Sequence, residues 1–317
     1  MTAIENSKLT VVGAGSVGTS IAYASLIRGA ARHIALYDIA AEKVEAEVLD
    51  LAHGTQFVGD TDLSGGSDLS VAEGSQVVVV TAGAKQRPGQ SRLDLAATNA
   101  GIVRDLMPKL VQAAPDAIFV IVTNPCDVLT VIAQEVSGLP LERVFASGTM
   151  LDTSRLRWAL GQRVGVSTSS VHASIVGEHG DSEFPLWSSA TIGNVPLLDW
   201  RDADRPPLTR AELDQIAFNV RNAAYRVIKG KGATNYAVGL STTRVVEAIV
   251  GDQRAVLPVS CVLDDFRGVS GVALSVPSIV DASGAVPIKQ TRFDDEEWAS
   301  FEASALQMRT VAADLGY

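Results

Sequence analysis

The sequence predicts an α/β protein, with a doubly wound parallel sheet in its first half and an α+β lobe in its second. Three observations carry this prediction. Strand-like and helix-like segments alternate through the first half of the chain. Two of the strands, QVVVVT at 76–81 and AIFVIVT at 117–123, are built on unbroken apolar runs, as strands covered on both faces are. A glycine-rich turn, Gly13-Ala-Gly15-Ser-Val-Gly18, joins the first strand to the first helix.

In order, 8–12 is an apolar strand that ends at Gly13, and 16–28 reads as a helix. A second strand follows at 33–38 (HIALYD) and a second helix at 40–52. The strand at 76–81 leads to a helix over 93–114, with Pro108 expected to interrupt it because proline lacks the N–H a helix interior needs. The strand at 117–123, a helix at 128–137 and a short strand at 143–146 complete the alternation. The second half differs. It reads as a helix at 152–165, strands at 171–176 and 189–192, and helices at 209–229 and 236–250. Antiparallel strands at 256–263 and 272–280 and a charged amphipathic helix at 294–314 close the chain. The change of character places a boundary near residue 147, dividing the chain into 1–147 and 148–317. Without a low-complexity linker, the two lobes are expected to pack closely around a cleft.

Composition narrows the function. The 317 residues are 47% hydrophobic and 20% charged, ordinary globular values that exclude a mainly disordered chain. The net charge of −10 disfavours nucleic acid or an anionic membrane as the main partner, since both select clustered Lys and Arg. No apolar run approaches the ~20 residues a membrane-spanning helix needs. The first residues show no basic stretch followed by an apolar run, so a secretory signal is not expected. Cys126 and Cys261 stand far apart, which excludes a disulfide framework or a cysteine-based zinc site and fits a reducing cytoplasm.

The glycine turn carries the first chemical signal. Its glycines permit a tight turn, a close approach of backbone to a pyrophosphate and close helix–strand packing. The helix N-terminus behind them adds free N–H groups for the anion. Asp38 stands 20 residues after Gly18, at the end of the second strand. A carboxylate there can accept from both ribose hydroxyls and repels a 2′-phosphate, which favours NAD over NADP. Asp38 could alternatively cap only the next helix.

Further signals sit at strand ends and in the second half. The segment at 81–92 holds Lys85, Arg87 and Arg92 without an acid, and its glycines and proline read as a mobile basic loop. A basic loop at the C-terminal end of a parallel strand, on a protein of opposite net charge, suggests an anionic ligand; a solvated surface loop is the alternative. Asn124 precedes Pro125 and is held out of the helical region, which could turn its amide into the cleft. Asp152 and Arg155, three apart in a helix, share a face. Arg157 lies about 200° around that helix from Arg155 and must point elsewhere. His179 sits between glycines in Gly177-Glu-His-Gly-Asp181, available as a general acid or base. Asp152 is its natural carboxylate partner. No serine in a nucleophile-elbow setting accompanies them, which disfavours hydrolysis.

Taken together, these residues resemble the L-lactate dehydrogenase branch of the lactate/malate dehydrogenase family. The matching motifs run along nearly the whole chain: GAGSVG, Tyr37–Asp38, DLAHG at 50–54, TAGAKQRPGQSRLDL at 81–95, VTNPCDV at 122–128, GTMLDTSRLR at 148–157, VGEHGDSEFPLW at 176–187 and KGATNYAVGLS at 231–241. The resemblance implies an NAD-binding Rossmann domain over 1–147 and a substrate-binding, catalytic α+β domain over 148–317. It implies that His179 protonates the pyruvate carbonyl oxygen while Asp152 holds it in its charged form. Arg155 would form the bidentate fork on the substrate carboxylate. Arg92 would stabilise charge developing on the carbonyl oxygen. Asn124 would orient the carbonyl and nicotinamide end, and Thr234 would line the pocket beside the substrate methyl. For the cofactor it implies Gly13, Gly15, Ser16, Val17, Gly18, Asp38, Lys43, Thr81, Ala82, Gly83, Thr123 and Asn124. Malate-specific members carry Arg at the position of Gln86. A neutral Gln leaves a second substrate carboxylate buried and unpaired, which favours pyruvate over oxaloacetate.

The resemblance also implies a second site. Positions matching Arg157 and His172 bind the phosphates of fructose 1,6-bisphosphate across a subunit dyad in bacterial members, and symmetry doubles two cations into four. A surface arginine and a packing histidine are the alternative. Only seven residues precede the first strand, so the N-terminal arm that clasps vertebrate tetramers is expected to be absent. The expectation is a cytoplasmic enzyme that associates to a dimer or tetramer and catalyses the end step of fermentative glycolysis. Another 2-hydroxyacid or malate dehydrogenase, or a silent NAD-binding regulatory protein, stays open as the alternative; against the last, the acid and both arginines are present.

Overall fold

The computed structural model describes residues 6–84 and 92–317, and of Arg92 and Leu93 the backbone alone. The first half alternates β1 (Lys8–Val12), α1 (Ser16–Arg28), β2 (His33–Tyr37), α2 (Ala41–His53), β3 (Asp62–Gly66), β4 (Val77–Val80), α3 (Arg92–Ala113), β5 (Ile118–Ile121), α4 (Cys126–Ser137) and β6 (Val144–Ala146). Strands β1 to β6 pair in parallel in the order β3-β2-β1-β4-β5-β6. All four residues of β4 and of β5 are buried, because helices cover both sheet faces. Burying each such Val or Ile side chain stabilises the fold by about 1.5–3 kcal/mol.

The chain reverses its direction across the sheet between β1 and β4. Open α/β sheets leave a crevice at such a point, outside the C-terminal strand ends. The turns after β1, β4 and β5 all open there, carrying Gly13–Gly18, Thr81–Gly83 and Asn124 respectively.

The second half comprises α5 (Met150–Val164), β7 (Val171–His172), β8 (Ile175–Val176), β9 (Phe184–Pro185), β10 (Thr191–Ile192), β11 (Val195–Pro196), α6 (Arg210–Arg221), α7 (Ala223–Lys231), α8 (Tyr236–Val250), β12 (Ala255–Val262), β13 (Ala273–Asp281), β14 (Gly284–Pro287) and α9 (Asp295–Asp314). The antiparallel pair β12–β13 is as the sequence predicts, but these strands do not stand apart. Through β12 against β6 they extend the first sheet to nine strands, ending at β14. The halves interlock a second time where α8 lies on α1. There Ser25 and Thr243 hydroxyls meet at 3.0 Å, and the Arg28 guanidinium donates to Glu247 at 2.5 and 2.9 Å.

Several elements depart from the sequence expectation. Strand β3 (DLSGG) is polar, glycine-rich and half-exposed, so it lacks the apolar signal of its neighbours. The expected strand at 171–176 divides: β7 pairs with β10, whereas β8 pairs with β9. The expected helix at 209–229 breaks at Asn222, whose backbone (φ −90°, ψ 0°) separates α6 from α7. Pro108 remains inside a single helix, α3, instead of interrupting it. No helix among the described residues is long and apolar enough to cross a membrane.

Candidate active site

Helix α5 presents Asp152 in its first turn, buried, with Arg155 one turn further. The short strand β8 then delivers the chain to the 177–183 turn, which carries His179 back over Asp152. The His179 Nδ1 lies 2.7 Å from Asp152 Oδ2, and Arg155 donates to Asp152 Oδ1 at 2.7 Å. One carboxylate therefore serves two cations, so the trio carries one net positive charge when His179 is protonated. The sequence pairs Asp152 with His179 and puts Arg155 on the same face, and the structure brings all three together.

A second carboxylate fixes the turn. The His179 backbone N–H donates to Asp127 Oδ2 at 2.7 Å, and Ser260 donates to Asp127 Oδ1 at 2.5 Å. Asp127 lies in the first turn of α4 and Ser260 on β12, so both halves of the chain hold the His179 backbone. Glu183 adds a third carboxyl group, only 4% exposed, with ligand atoms of Asp152, His179 and Glu183 within 4.8 Å of one another. Sequence reasoning missed Asp127, Ser260 and Glu183. The signal available for the two acids was a carboxylate set in an apolar run, in NPCDVL and SEFPLW.

Burial opposes the charge on His179, but Asp152, with help from Asp127 and Glu183, outweighs it and raises the imidazole to about 9. Burial pushes Asp152 upward, yet His179 and Arg155 hold it below the ordinary carboxylate range. Burial lifts Asp127 to about 6 and, together with Asp152, Glu183 to about 8. At neutral pH His179 is an imidazolium beside an ionised Asp152, in position to donate a proton.

Arg155 also lines a cavity of about 440 Å³ with Leu151, Trp158, Thr234 and Asn235. The Thr234 hydroxyl is buried without a hydrogen-bond partner among the described residues. Among those residues the Arg155 side chain makes no bond beyond that to Asp152, which leaves guanidinium N–H groups for an anion.

The crevice at β1 and β4 is built from backbone. Gly13 has φ +108°, and a Cβ on it would come within 2.8 Å of the Ala82 nitrogen and the Thr81 hydroxyl. A Cβ on Gly18 would come within 1.8 Å of the Gly13 carbonyl oxygen, whereas one on Gly15 would meet nothing within 4 Å. Gly13 and Gly18 thus hold the turn tight, while Gly15 faces open space. Thr81 Oγ1 donates to the Gly13 carbonyl at 2.9 Å, and Thr123 Oγ1 to that of Ala82 at 2.8 Å, tying three strand ends together. Asp38 accepts from Ala14 N–H at 2.8 Å and from Ala40 N–H at 3.0 Å. It therefore braces the glycine turn as well as the entry to α2.

Residues 7–146 match the lactate/malate dehydrogenase NAD binding domain, and residues 149–314 match the alpha/beta C-terminal domain of the same family. The chain belongs to the lactate/malate dehydrogenase family. It is 47% identical over 315 residues to an L-lactate dehydrogenase of Bifidobacterium animalis subsp. lactis, covering 99% of this chain and 98% of the relative. With an L-lactate dehydrogenase of Thermus aquaticus it shares 43% over 312 residues, 98% of this chain and 100% of the other. In structure it superposes on the minor L-lactate dehydrogenase of Enterococcus mundtii with a TM-score of 0.92 at 41% identity, covering 97% of this chain and 98% of that one. A lactate dehydrogenase from a Medee basin deep-sea metagenome gives 0.94 at 34% identity, over 99% of this chain and 100% of that one.

This member of the family is an NAD-dependent dehydrogenase, and its residues fit the cofactor. The open face at Gly15 and the N-terminus of α1 suit a pyrophosphate, and Asp38 stands at the end of β2 with lone pairs to spare. Ser16 is exposed and Val17 half-buried on the first turn of α1, and Ala82 and Gly83 follow β4. Lys43 is exposed on the first turn of α2. Asn124 is exposed after β5, its Oδ1 accepting from Cys126 N–H at 3.4 Å. Gln86, Lys85 and Arg87 lie outside the described residues, as does the side chain of Arg92. On the far side of α5, Arg157 Nε donates to the Ala173 carbonyl at 2.8 Å, next to the exposed His172 on β7.

Proposed function

We propose that this enzyme interconverts pyruvate and (S)-lactate, and that His179 is its acid–base residue. The observation that carries the reading is the Asp152 carboxylate bonded at 2.7 Å to both His179 and Arg155. NADH held in the crevice between β1 and β4 would supply the hydride for the carbonyl carbon. His179 donates its proton to the carbonyl oxygen, and Asp152 holds the ring in the orientation and charge state this requires. Arg155 binds the substrate carboxylate through N–H groups not engaged by Asp152. Thr234 lines the pocket beside the substrate methyl, and Asn124 orients the carbonyl and nicotinamide end. Arg92 stabilises negative charge on the oxygen in the transition state. Gln86 sets specificity, since it offers no cation to a second carboxylate. Gly13, Gly15, Ser16, Val17, Gly18, Asp38, Lys43, Thr81, Ala82, Gly83 and Thr123 form the cofactor site, over a domain of residues 1–147.

Arg157 and His172 form the effector site of this reading. Fructose 1,6-bisphosphate would bind there across a two-fold axis of the dimer or tetramer and favour the active arrangement. Support comes from Arg157, a partly buried cation bonded to a backbone carbonyl and, among the described residues, to no carboxylate. A cytoplasmic enzyme at the end of fermentative glycolysis fits both the substrate and the two free, buried cysteines.

The test follows NADH oxidation on addition of pyruvate, oxaloacetate or 2-oxo-isocaproate. Pyruvate should give the highest kcat/KM. A preference for either other acid would reassign the substrate, and no oxidation with any of them would overturn the reading.

A further inference from the structure

Glu183 is a buried acid with no assigned task. It closes the His179 turn just before β9, and its side chain is buried. Its Oε1 is buried and has no hydrogen-bond partner among the described residues. A polar atom left unpaired in the interior is destabilising, and more so when it is ionised. Arg221, the last residue of α6, donates from its guanidinium to the Glu183 backbone carbonyl at 2.8 Å. The Nε of Arg221 is likewise buried and unpaired among the described residues. Two oppositely charged types of group thus meet at Glu183 with spare hydrogen-bonding capacity, and the Glu183 carboxyl lies beside His179 and Asp152.

We propose that Glu183 is a positioning residue for proton transfer: a buried carboxyl, with an oxygen within 4.8 Å of the His179 ring nitrogen and the Asp152 carboxylate, that serves as a second counter-ion for the imidazolium. The proposal rests on the reading of His179 as the acid. Among the described residues, the groups facing the pair are Asp152 and Arg155 from α5, Asp127 from α4 and Arg221 from α6. Glu178 is turned to Ser182, bonding its hydroxyl at 2.5 Å. Burial and the Asp152 charge keep the proton on Glu183, while His179, Arg221 and Arg155 oppose this.

The sign follows from the order of titration. Below about 8 Glu183 is neutral, and His179 is kept charged by Asp152 with help from Asp127. As pH rises through that value, Glu183 loses its proton, and the new negative charge resists the loss of the proton from His179. The reductive reaction therefore persists to higher pH than the His179–Asp152 pair would allow. Proton and charge balance: Glu183 releases its proton to solvent, and the proton given to substrate still comes from His179.

The experiment is the pH profile of kcat/KM for pyruvate, from pH 6 to 10 at saturating NADH, in the wild-type enzyme, Glu183→Gln, Glu183→Asp and His179→Asn. Glu183→Gln should move the alkaline limb about one pH unit lower, a loss of about fivefold at pH 9 that approaches tenfold at pH 10, with far less change at pH 6. Glu183→Asp, which keeps a carboxyl, should hold the limb nearer its wild-type position. Difference infrared spectra of the wild-type enzyme should show the carbonyl stretch of a protonated carboxylic acid at pH 7 that is gone by pH 9.5; this decides the matter even if Glu183→Gln fails to fold. Coincident alkaline limbs, a loss equal at every pH, or no protonated carboxyl at pH 7 would overturn the role of Glu183. Near-normal turnover by His179→Asn would instead overturn the acid assignment on which it rests.

Discussion

Two arginines on helix α5, two residues apart, meet opposite circumstances. Arg155 is bonded to a buried carboxylate, and the Asp152 charge it neutralises is shared with His179. Arg157 faces the other side and, among the described residues, bonds only the Ala173 carbonyl, while burial depresses its affinity for a proton. The difference is one of electrostatic completeness. A partly buried cation without a counter-ion is held against its desolvation cost, and an external anion would relieve it. Arg155 already has its protein partner, so it can hold a small monoanion without the site being destabilised when that anion leaves.

The comparison can be tested from its most consequential end. Replacing the residue that shares Asp152 with Arg155, by His179→Asn, should lower pyruvate turnover by roughly 10³–10⁴-fold with NADH binding intact. Stopped-flow turnover together with a fluorescence titration of NADH checks this, and near-normal turnover would refute the assignment. Arg155→Gln should lower kcat/KM for pyruvate by about 10²–10³-fold, since it removes one of the two cations on Asp152 and, on the proposed reading, the clamp on the substrate carboxylate. If Arg157→Gln produced an equal loss at saturating pyruvate, the division between the two faces of α5 would fail.

A smaller effect concerns the charge offered to substrate. Gln86→Arg should shift the ratio of kcat/KM for oxaloacetate over pyruvate by about 10²-fold toward oxaloacetate. An unchanged ratio would mean that Gln86 does not face the substrate.

The Asp152 cluster should also leave a mark on stability. His179 is raised from 6.5 to about 9 in the folded protein, a difference on the order of 3 kcal/mol that is fully present below pH 6.5 and lost as pH rises through 9. Urea unfolding should therefore show a steeper loss between pH 6.5 and 9.5 in the wild-type enzyme than in His179→Asn. Parallel curves would mean that the pair does not contribute.

The mildest effect belongs to Arg157. Fructose 1,6-bisphosphate should lower the apparent KM for pyruvate several-fold in the wild-type enzyme and not in Arg157→Gln. Pyruvate titrations at low protein concentration, with and without the effector, read this out. A wild-type enzyme that does not respond would return Arg157 and His172 to a packing role.

Local signals account for much of this protein. The apolar runs of β4 and β5, the glycine turn and the acid at Asp38 are each readable within a few residues, because burial on both faces or a tight turn constrains residue type directly. Strand β3 is polar and carries too little pattern to be read, whereas the strand signal at 171–176 is legible and only its division into β7 and β8 is set by their different partners, β10 and β9. The same division runs through the site. Helical spacing is enough to put Asp152 and Arg155 on one face and Arg157 on another. That β12 closes on β6, bringing Ser260 to Asp127 and so fixing the His179 turn, depends on contacts 133 residues apart in the chain. The charge states of His179 and Glu183 likewise come from burial and from carboxylates on other elements, and only the folded chain sets how much water each group keeps and which charge stands beside it.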